Sequence, residues 1–328
     1  MIGFLVRRFL YMIPLLLVIA ILSFALMEFM PGDFLDQFRF DPSVDLVRLE
    51  REAARLGLDQ PRHIRFWRWF RGVLRGDLGE SFVTQQPVAR SLFAGRIGWT
   101  LMLTIPTFIF TWVITVPLGL YSSTHQYKLS DHVLTGFAFF GMSIPNFFFA
   151  LLLLYFLVVV LQVGDMGLGV SGIVGQEFIG QPWSWDKFVS FLWHAWPPIL
   201  VIGTAGMAGL LRFTRGLMID TLGEMYVMTA RAKGLTERTV VYKHALRNIL
   251  NPFITSFSMG IGGFVQGAMI SAIVFNLPTV SRAYWGALQA QDTQVLMGGI
   301  IFFTSFFLVG NLLGDIGIAI ADPRIRVN

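Results

Sequence analysis

The sequence predicts an all-α protein that crosses a lipid bilayer six times, and its composition gives the first reason. Of its 328 residues, 55% are hydrophobic and 14% are charged, whereas soluble globular proteins carry about 25% charged residues. The mean hydropathy is +0.64. Because so few charges cannot cover a globule in water, we expect lipid to surround most of the chain.

Six charge-free runs give the second reason, because each is long enough to cross a bilayer. Spanning the hydrocarbon takes about 20 apolar residues in a helix. The spans must be helical because lipid offers no partner for backbone N–H and C=O groups. The third and fifth runs exceed one span, so we expect their ends to lie in the interface or to continue as re-entrant backbone. The runs cover residues 9–27, 97–124, 133–164, 188–211, 249–281 and 293–314.

Basic residues near the helix ends predict that both termini are cytoplasmic. One side receives most of them, including a cluster within residues 212–247 and the final pair Arg324 and Arg326, whereas the short loops opposite hold only Lys187 and Arg282. The predicted regions are 1–30 with the first transmembrane helix, 31–96 as an extracytoplasmic loop region with amphipathic helices, and 97–328 as a five-helix transmembrane core that includes a cytoplasmic loop at 212–248.

A basic stripe lies in the long outer loop. Its arginines recur at spacings of three and four, which places them on one face of a helix. Apolar and aromatic residues alternate with them, so the helix suits the headgroup layer of a membrane. A docking surface for an outside partner is the alternative, and the two can coexist. The stripe consists of Arg62, Arg65, Arg68, Arg71 and Arg75, with Ile64, Phe66, Trp67, Phe70 and Val73 between them.

The sequence contains no recognisable catalytic or metal-binding motif. A GxxxxGK[ST] loop, an HExxH helix, a GxSxG elbow and cysteine are all absent. An ion-driven carrier usually places acids or bases inside the membrane, whereas these spans are almost free of charge. We therefore predict a non-enzymatic membrane protein that receives its energy from a partner. A secondary carrier and a non-transporting scaffold are the rival classes.

The cytoplasmic loop at 212–248 concentrates charges, small residues and helix formers. A helix is predicted from Met225 to Lys233, with Gly234 ending it and Thr236 capping a second helix that runs from Glu237 to about Asn248. Such a helix–turn–helix can act as a rigid lever on a partner. A hairpin that only satisfies charge placement is the equally weighted alternative.

At this point the sequence resembles a known family. Residues 226–252, YVMTARAKGLTERTVVYKHALRNILNP, are similar to the conserved cytoplasmic loop of ABC importer permeases of the dipeptide, oligopeptide and nickel branch. The likeness covers nearly the whole chain. Other matching segments are Pro31-Gly32-Asp33, Leu56-Gly57-Leu58-Asp59-Gln60-Pro61, Arg75-Gly76-Asp77-Leu78-Gly79 and Asp322-Pro323-Arg324-Ile325-Arg326.

The resemblance implies a type I ABC importer permease fold and a coupling helix that docks on an ATPase. It also implies a second, related permease subunit, two ABC ATPases that hold ATP and Mg, and an extracytoplasmic solute-binding protein, with no cofactor on this chain. The implied location is a bacterial or archaeal cytoplasmic membrane. The implied coupling residues are Tyr226, Thr229, Ala230, Arg231, Ala232, Lys233, Gly234 and Leu235.

The expected cargo is a di- or oligopeptide, with an oligosaccharide or a nickel chelate as the alternative. Polar groups in the third and fifth runs are candidates for lining the pathway, and interhelical hydrogen bonding is their other interpretation. These candidates are Ser143, Asn146, Gln266, Ser271 and Asn276.

Glycine and proline patterns leave two further questions open. Gly263-x-x-x-Gly267 and Gly310-x-x-x-Gly314 allow close helix approach, either at a subunit contact or within the chain. Prolines in or beside the spans mark either points of helix deformation or simple packing irregularity. They are Pro14, Pro106, Pro117, Pro145, Pro197 and Pro198.

Overall fold

The computed structural model describes residues 2–29, 34–39, 46–164, 169–267 and 269–321, and these residues form helices and loops without a regular strand. Pro31-Gly32-Asp33 and the tail segment 322–326 lie outside the described residues. The helices are α1 Ile2–Phe29, α2 Asp36–Arg39, α3 Leu46–Leu56, α4 Arg62–Leu74, α5 Arg96–Thr124, α6 Leu129–Ser143, α7 Asn146–Tyr155, α8 Trp185–Leu222, α9 Met225–Ala232, α10 Glu237–Thr239, α11 Leu246–Asn248, α12 Leu250–Gly267, α13 Met269–Val274, α14 Val280–Gln289 and α15 Thr293–Ala321.

Four of the six predicted spans are confirmed as single long helices. Within the described residues, helices long and apolar enough to cross a bilayer cover Val6–Phe29, Arg96–Thr124, Trp185–Leu222 and Thr293–Ile320. Large hydrophobic side chains remain exposed along them, such as Leu10 on α1 and Val113 on α5. This exposure is what a lipid-facing surface requires, because lipid replaces water around those side chains.

The third predicted span is a broken helix. Residues Leu129–Ser143 and Asn146–Val160 are bent by 97° at a short break, as a broken span or a re-entrant loop. Pro145 immediately precedes α7, and proline cannot donate the backbone bond that would continue α6. The overlong third run is therefore explained by deformation at Pro145. The other marked prolines lie inside continuous helices: Pro14 in α1, Pro106 and Pro117 in α5, Pro197 and Pro198 in α8.

The count of six spans is not fully confirmed. Four helices pass by length and composition, and the bent pair makes up to five. The described parts of the fifth run are α12 and α13, and residue 268 between them lies outside the described residues. Gly260, Gly263 and Asn251 dilute its hydrophobicity, so the crossing of the membrane by this run stays a prediction.

The chain consists of two compact units. The first contains Met1–Thr100 and Thr279–Val309, and the second contains Leu101–Pro278 and Gly310–Asn328. Both α5 and α15 contribute to each unit. The predicted boundaries at 30 and 96 rest on sequence alone and remain predictions.

In the first unit, the helix predicted for the basic stripe is confirmed as α4. Its apolar side packs on α1 and α15, where Trp69 is 6% exposed and joins a cluster with Ala20 and Met297. Glu28 on α1 pairs with Arg65 at 3.1 Å and with Arg62 at 3.2 Å. Two arginines of the stripe thus form ion pairs within the protein, while Trp67 and Arg68 stay exposed to the surroundings.

In the second unit, α12 and α15 meet through small residues. A side chain added at Gly310 would approach the Ser258 carbonyl to 2.9 Å, and one at Gly314 would overlap the Ser258 hydroxyl. The Gly310-x-x-x-Gly314 motif therefore serves close packing within this chain. Gly263 has open space beside it, and the surroundings of Gly267 lie outside the described side chains.

Candidate functional site

The candidate site is the helix–turn–helix that follows α8, residues 225–248, which we call the coupling element. Its first helix, α9, runs from Met225 to Ala232, one residue short of the predicted end at Lys233, which is the C-cap. Val227 is 0% exposed and Ala230 is 5% exposed. A spacing of three residues puts both on one helix face, so α9 turns that face into the protein and presents the opposite face to solvent.

A Schellman turn at Gly234 ends α9. The N–H of Gly234 donates to the Arg231 carbonyl at 2.9 Å, and the N–H of Leu235 donates to the Ala230 carbonyl at 3.4 Å. Gly234 adopts a φ of +76°, a left-handed conformation that glycine adopts without the steric cost that a Cβ adds. The predicted role of Gly234 in ending the helix is confirmed.

The second arm of the element begins at a capped helix start. The Thr236 hydroxyl accepts a bond from the N–H of Thr239, as predicted for an N-cap. The helix continues through a π-helical segment, Val240–Ala245, to Asn248. A π segment adds one residue to a turn, and its buried side face holds Val240, Val241 and Ala245.

Both arms are anchored in one hydrophobic cluster of the second unit. The cluster also contains residues near the C-terminal ends of two long helices, Leu120 on α5 and Met218 on α8. A displacement of the element must therefore displace these helix ends, because close-packed side chains do not slide freely. The buried members are Leu120, Met218, Val227, Ala230, Val240, Val241, Ala245, Ile249 and Phe253.

An ion pair joins the two arms across the turn. Arg231 donates to Glu237 through Nη2 at 2.6 Å and through Nε at 3.1 Å. This side-chain hydrogen bonding lowers the pKa of the Glu237 carboxyl below its ordinary value. Both side chains are largely exposed, so solvent screens the pair and it contributes little to global stability. The pair links the last turn of α9 to the first residue of α10.

The outward face of the element is unusually apolar for a water-exposed surface. Met225 is 77% exposed, Met228 52%, Tyr242 58% and Leu235 40%. Exposed apolar side chains grouped in this way are typical of protein interaction surfaces. Of the predicted coupling residues, Ala230 alone is buried within the described chain. Those that are exposed are Tyr226, Thr229, Arg231, Ala232, Lys233, Gly234 and Leu235.

The candidate pathway residues lie on several elements: Ser143 ends α6, Asn146 begins α7, Gln266 lies in α12, Ser271 lies in α13 and Asn276 follows α13. Ser143 and Asn146 flank the break between α6 and α7, and Asn146 lines an apolar groove of about 400 Å³. Ser271 is 0% exposed, and its hydroxyl has no hydrogen-bond partner among the described residues. Asn276 is exposed with a φ of +54°. The side chain of Gln266 lies outside the described residues.

The sequence analysis missed a buried ion pair beside the coupling element. Asp131, at the start of α6, is 2% exposed and accepts bonds from Nε and Nη2 of Arg215 on α8, both at 2.8 Å. The Ser122 hydroxyl and the Tyr127 N–H also donate to it. The pair thereby connects α5, α6 and α8. Its only sequence signal was an acid in the first turn of an apolar helix.

The described part of the chain contains no recognisable metal-binding site. No group of three or more His, Asp or Glu side chains is arranged there to hold a metal ion. The coupling element contains basic, amide and apolar side chains, which suit contact with a protein surface.

Two family matches cover the chain. Residues 1–104 match the N-terminal part of the binding-protein-dependent transport system membrane components, and residues 115–327 match the binding-protein-dependent transport system inner membrane component. The second match includes the whole coupling element.

Similar proteins align over the full length. The chain is 34% identical over 326 residues to the oligopeptide transport system permease protein AppB of Bacillus subtilis, covering 99% of this chain and 100% of AppB. It is 32% identical over 337 residues to the dipeptide transport system permease protein DppB of Escherichia coli K12, covering 99% of each. It is 32% identical over 326 residues to the glutathione transport system permease protein GsiC of Salmonella typhimurium, again covering 99% of each.

These matches exceed what a shared fold alone would give, and they include the membrane helices and the coupling element together. The chain therefore belongs to the family of binding-protein-dependent transport system inner membrane components, and it is a non-catalytic permease subunit of an ABC transporter.

Proposed function

We propose that this permease subunit forms half of the translocation pathway of an ATP-driven peptide importer. The observation that carries the proposal is the coupling element, which is exposed, apolar on its outer face and anchored to the ends of α5 and α8. The relatives named for oligopeptide, dipeptide and glutathione transport support a peptide as cargo. Oligosaccharides and nickel chelates are the alternative cargoes.

The proposed assembly contains a second, related permease subunit, two ABC ATPases and an extracytoplasmic solute-binding protein. Both termini and the coupling element face the cytoplasm, and the region at 31–96 faces the opposite side. Region 97–328 forms the transmembrane core. ATP and Mg are held by the ATPases, so this chain contributes a coupling free energy between the cytoplasmic and outer sites.

The proposed mechanism treats the coupling element as a lever. Closure of the ATPases pushes on α9 and the Gly234 turn, and the hydrophobic cluster shared by the two arms makes them move as one body. Because Val227 and Ala230 pack with Leu120 and Met218, the push reaches the inner ends of α5 and α8. The pathway then changes from inward-open to outward-open.

Replacing Gly234 with tryptophan tests the lever. No atom lies within 4 Å of a Cβ at this position, so the chain should insert and fold. The bulky group would then stand on the docking face, and we expect substrate-stimulated ATP hydrolysis to fall by about tenfold, as a coupling free energy of this order implies. The measurement is ATPase activity of the complete importer in nanodiscs with and without loaded binding protein.

A matched control is available at Gly76. It has a φ of +79° and equally open space, so Gly76→Trp imposes the same backbone strain far along the chain from the coupling element. The lever proposal is supported if loaded binding protein stimulates ATP hydrolysis normally in Gly76→Trp but not in Gly234→Trp. Equal stimulation in both variants would show that Gly234 is not a coupling residue.

The side chains proposed to line the pathway are Ser143, Asn146, Gln266, Ser271 and Asn276. Ser143 and Asn146 are supported by their position at the 97° bend, where irregular backbone faces a groove. A secondary carrier would instead move peptide in vesicles that contain only this chain. Mass spectrometry of the ligand carried by the purified binding protein would identify the cargo class.

Substitution of the α4 arginines that do not pair with Glu28 on α1 tests whether the stripe is a docking surface. Charge reversal at Arg68 and Arg71 leaves the Glu28 pairs with Arg62 and Arg65 in place. If the stripe docks the binding protein, its affinity should fall by about tenfold at low salt. Surface plasmon resonance on nanodisc-held importer measures this, and unchanged affinity would leave the lipid headgroups as the ligand of the stripe.

A further inference from the structure

A cavity of about 650 Å³, lined by both polar and apolar side chains, lies in the second unit between the segment 169–177 and the first turns of α8. This volume is within the range of small-ligand sites. The cavity combines two carboxyl groups, an imidazole and two indole rings, and its lining includes no lysine or arginine among the residues that the structure describes. Its chemical groups come from Glu177, Asp186, His194, Ser171, Ser190, Trp185 and Trp193.

His194 presents a hydrogen-bond acceptor toward this cavity. The residue is 5% exposed, and its Nδ1 lies 2.7 Å from the Ser190 carbonyl. Because a carbonyl oxygen only accepts, Nδ1 must carry the hydrogen, and in the neutral ring Nε2 is then an acceptor. Nε2 points toward Gly169, which also lines the cavity, and it has no hydrogen-bond partner among the described residues. A ligand N–H would satisfy it.

The two carboxyl groups add negative charge at the cavity mouth. Neither Glu177 nor Asp186 forms an ion pair within the described chain. The Glu177 carboxylate folds back over Gly175. The Gly175 N–H donates to the hydroxyl of Ser190 on α8 at 2.8 Å, so this hydrogen bond ties the loop that carries Glu177 to α8.

Lys187, which follows Asp186 on α8, does not neutralise the Glu177 and Asp186 carboxylates. Lys187 is 5% exposed and donates to the Gln181 carbonyl at 2.6 Å. Its ammonium also lies 5.3 Å from the centroid of the Trp183 ring. The cavity therefore keeps a net negative lining.

Two indole rings complete a cation-binding environment. The Nε1–H of Trp193 donates to the Gly169 carbonyl at 3.0 Å, which fixes that ring in the cavity wall, and Trp185 stands at the exposed rim. Aromatic faces attract ammonium groups through their quadrupole. Carboxylates, an imidazole acceptor and indole faces together favour a ligand that is both positively charged and rich in N–H donors.

We propose that this cavity is a binding site for a primary ammonium group. The absence of three grouped metal-ligating side chains in the described part of the chain argues for an organic cation over a metal ion. That the ammonium is the N-terminus of an imported peptide rests on the proposed function. The same chemistry could also be supplied by a lysine side chain of the docked binding protein.

The test uses the complete importer in nanodiscs, labelled with 5-fluorotryptophan. The ¹⁹F resonances of the cavity indoles are assigned with Trp185→Phe and Trp193→Phe. Methylammonium chloride is titrated against sodium chloride at equal ionic strength, and dialanine is then compared with N-acetyl-dialanine. No ATP is present, so failure of this titration is independent of the Gly234 result.

We expect saturable shifts with methylammonium and dialanine but not with sodium chloride or N-acetyl-dialanine. Glu177→Gln combined with Asp186→Asn should raise the methylammonium Kd by about tenfold, and Asp59→Asn, which removes an exposed carboxylate elsewhere, should not change it. A different pattern would assign the ammonium group to the binding protein. In that case the binding protein shifts the ¹⁹F resonances, succinylation of its lysines abolishes the shift, and dialanine produces no shift. No saturable methylammonium shift, or an equal shift with both dialanines, would overturn the site.

Discussion

Replacing Asp131 with alanine should lower the free energy of unfolding of the second unit by about 3 kcal/mol, the scale expected when one partner of a buried ion pair is removed. Asp131 is 2% exposed and takes two bonds from Arg215 at 2.8 Å. Without it, the Arg215 charge stays in a largely buried place with no carboxylate, and the Ser122 hydroxyl and the Tyr127 N–H lose their acceptor.

Thermal unfolding of the purified permease complex in detergent measures this effect as a lower Tm. The control is the double variant Asp131→Leu with Arg215→Met, because replacing both charges with apolar groups is often neutral. We expect the double variant to be more stable than Asp131→Ala. If Asp131→Ala unfolds at the wild-type temperature, the ion pair does not hold α5, α6 and α8 together.

Replacing Gly314 with leucine should produce the second large effect, a loss of about 3 kcal/mol or failure to assemble, because overpacking forces helices apart. A Cβ at Gly314 already overlaps the Ser258 hydroxyl on α12, and the Ile254 carbonyl lies 3.5 Å from it. The Ser258 hydroxyl donates to that carbonyl at 2.6 Å, so it cannot rotate away without leaving a polar group unpaired.

The matched control is Gly136→Leu on α6, where no atom lies within 4 Å of an added Cβ. Both variants add the same hydrophobic volume to an apolar helix. We expect Gly136→Leu to keep the wild-type Tm and Gly314→Leu to lower it strongly. Equal thermal stability of the two variants would contradict close packing of α12 on α15. Gly314 would then be interpreted as part of a contact between subunits.

Local features of this protein could be predicted from sequence because they depend on neighbouring residues. Charge-free runs predicted the long helices, since a span needs only length and apolarity. The Gly234 turn and the Thr236 cap were predicted because both depend on backbone groups two or three residues away. The spacing of the arginines predicted α4 for the same reason.

Features that join distant segments could not be predicted in this way. Asp131 and Arg215 are 84 positions apart, and no local pattern pairs them. The 97° bend depends on which face of α7 packs against α8 and α13, and a proline alone does not determine that angle. The burial of Trp69 was missed because the stripe pattern describes spacing on α4 and not which helices cover it.

The length of α8 has a mechanical consequence. At a rise of about 1.5 Å per residue, its 38 residues make a rod of roughly 57 Å, nearly twice the thickness of the hydrocarbon layer. One end of this rod lines the cavity that we propose as an ammonium site, and the coupling element follows the other end. Under the proposed mechanism, a displacement of the coupling element would therefore be transmitted along a single helix to the proposed binding cavity.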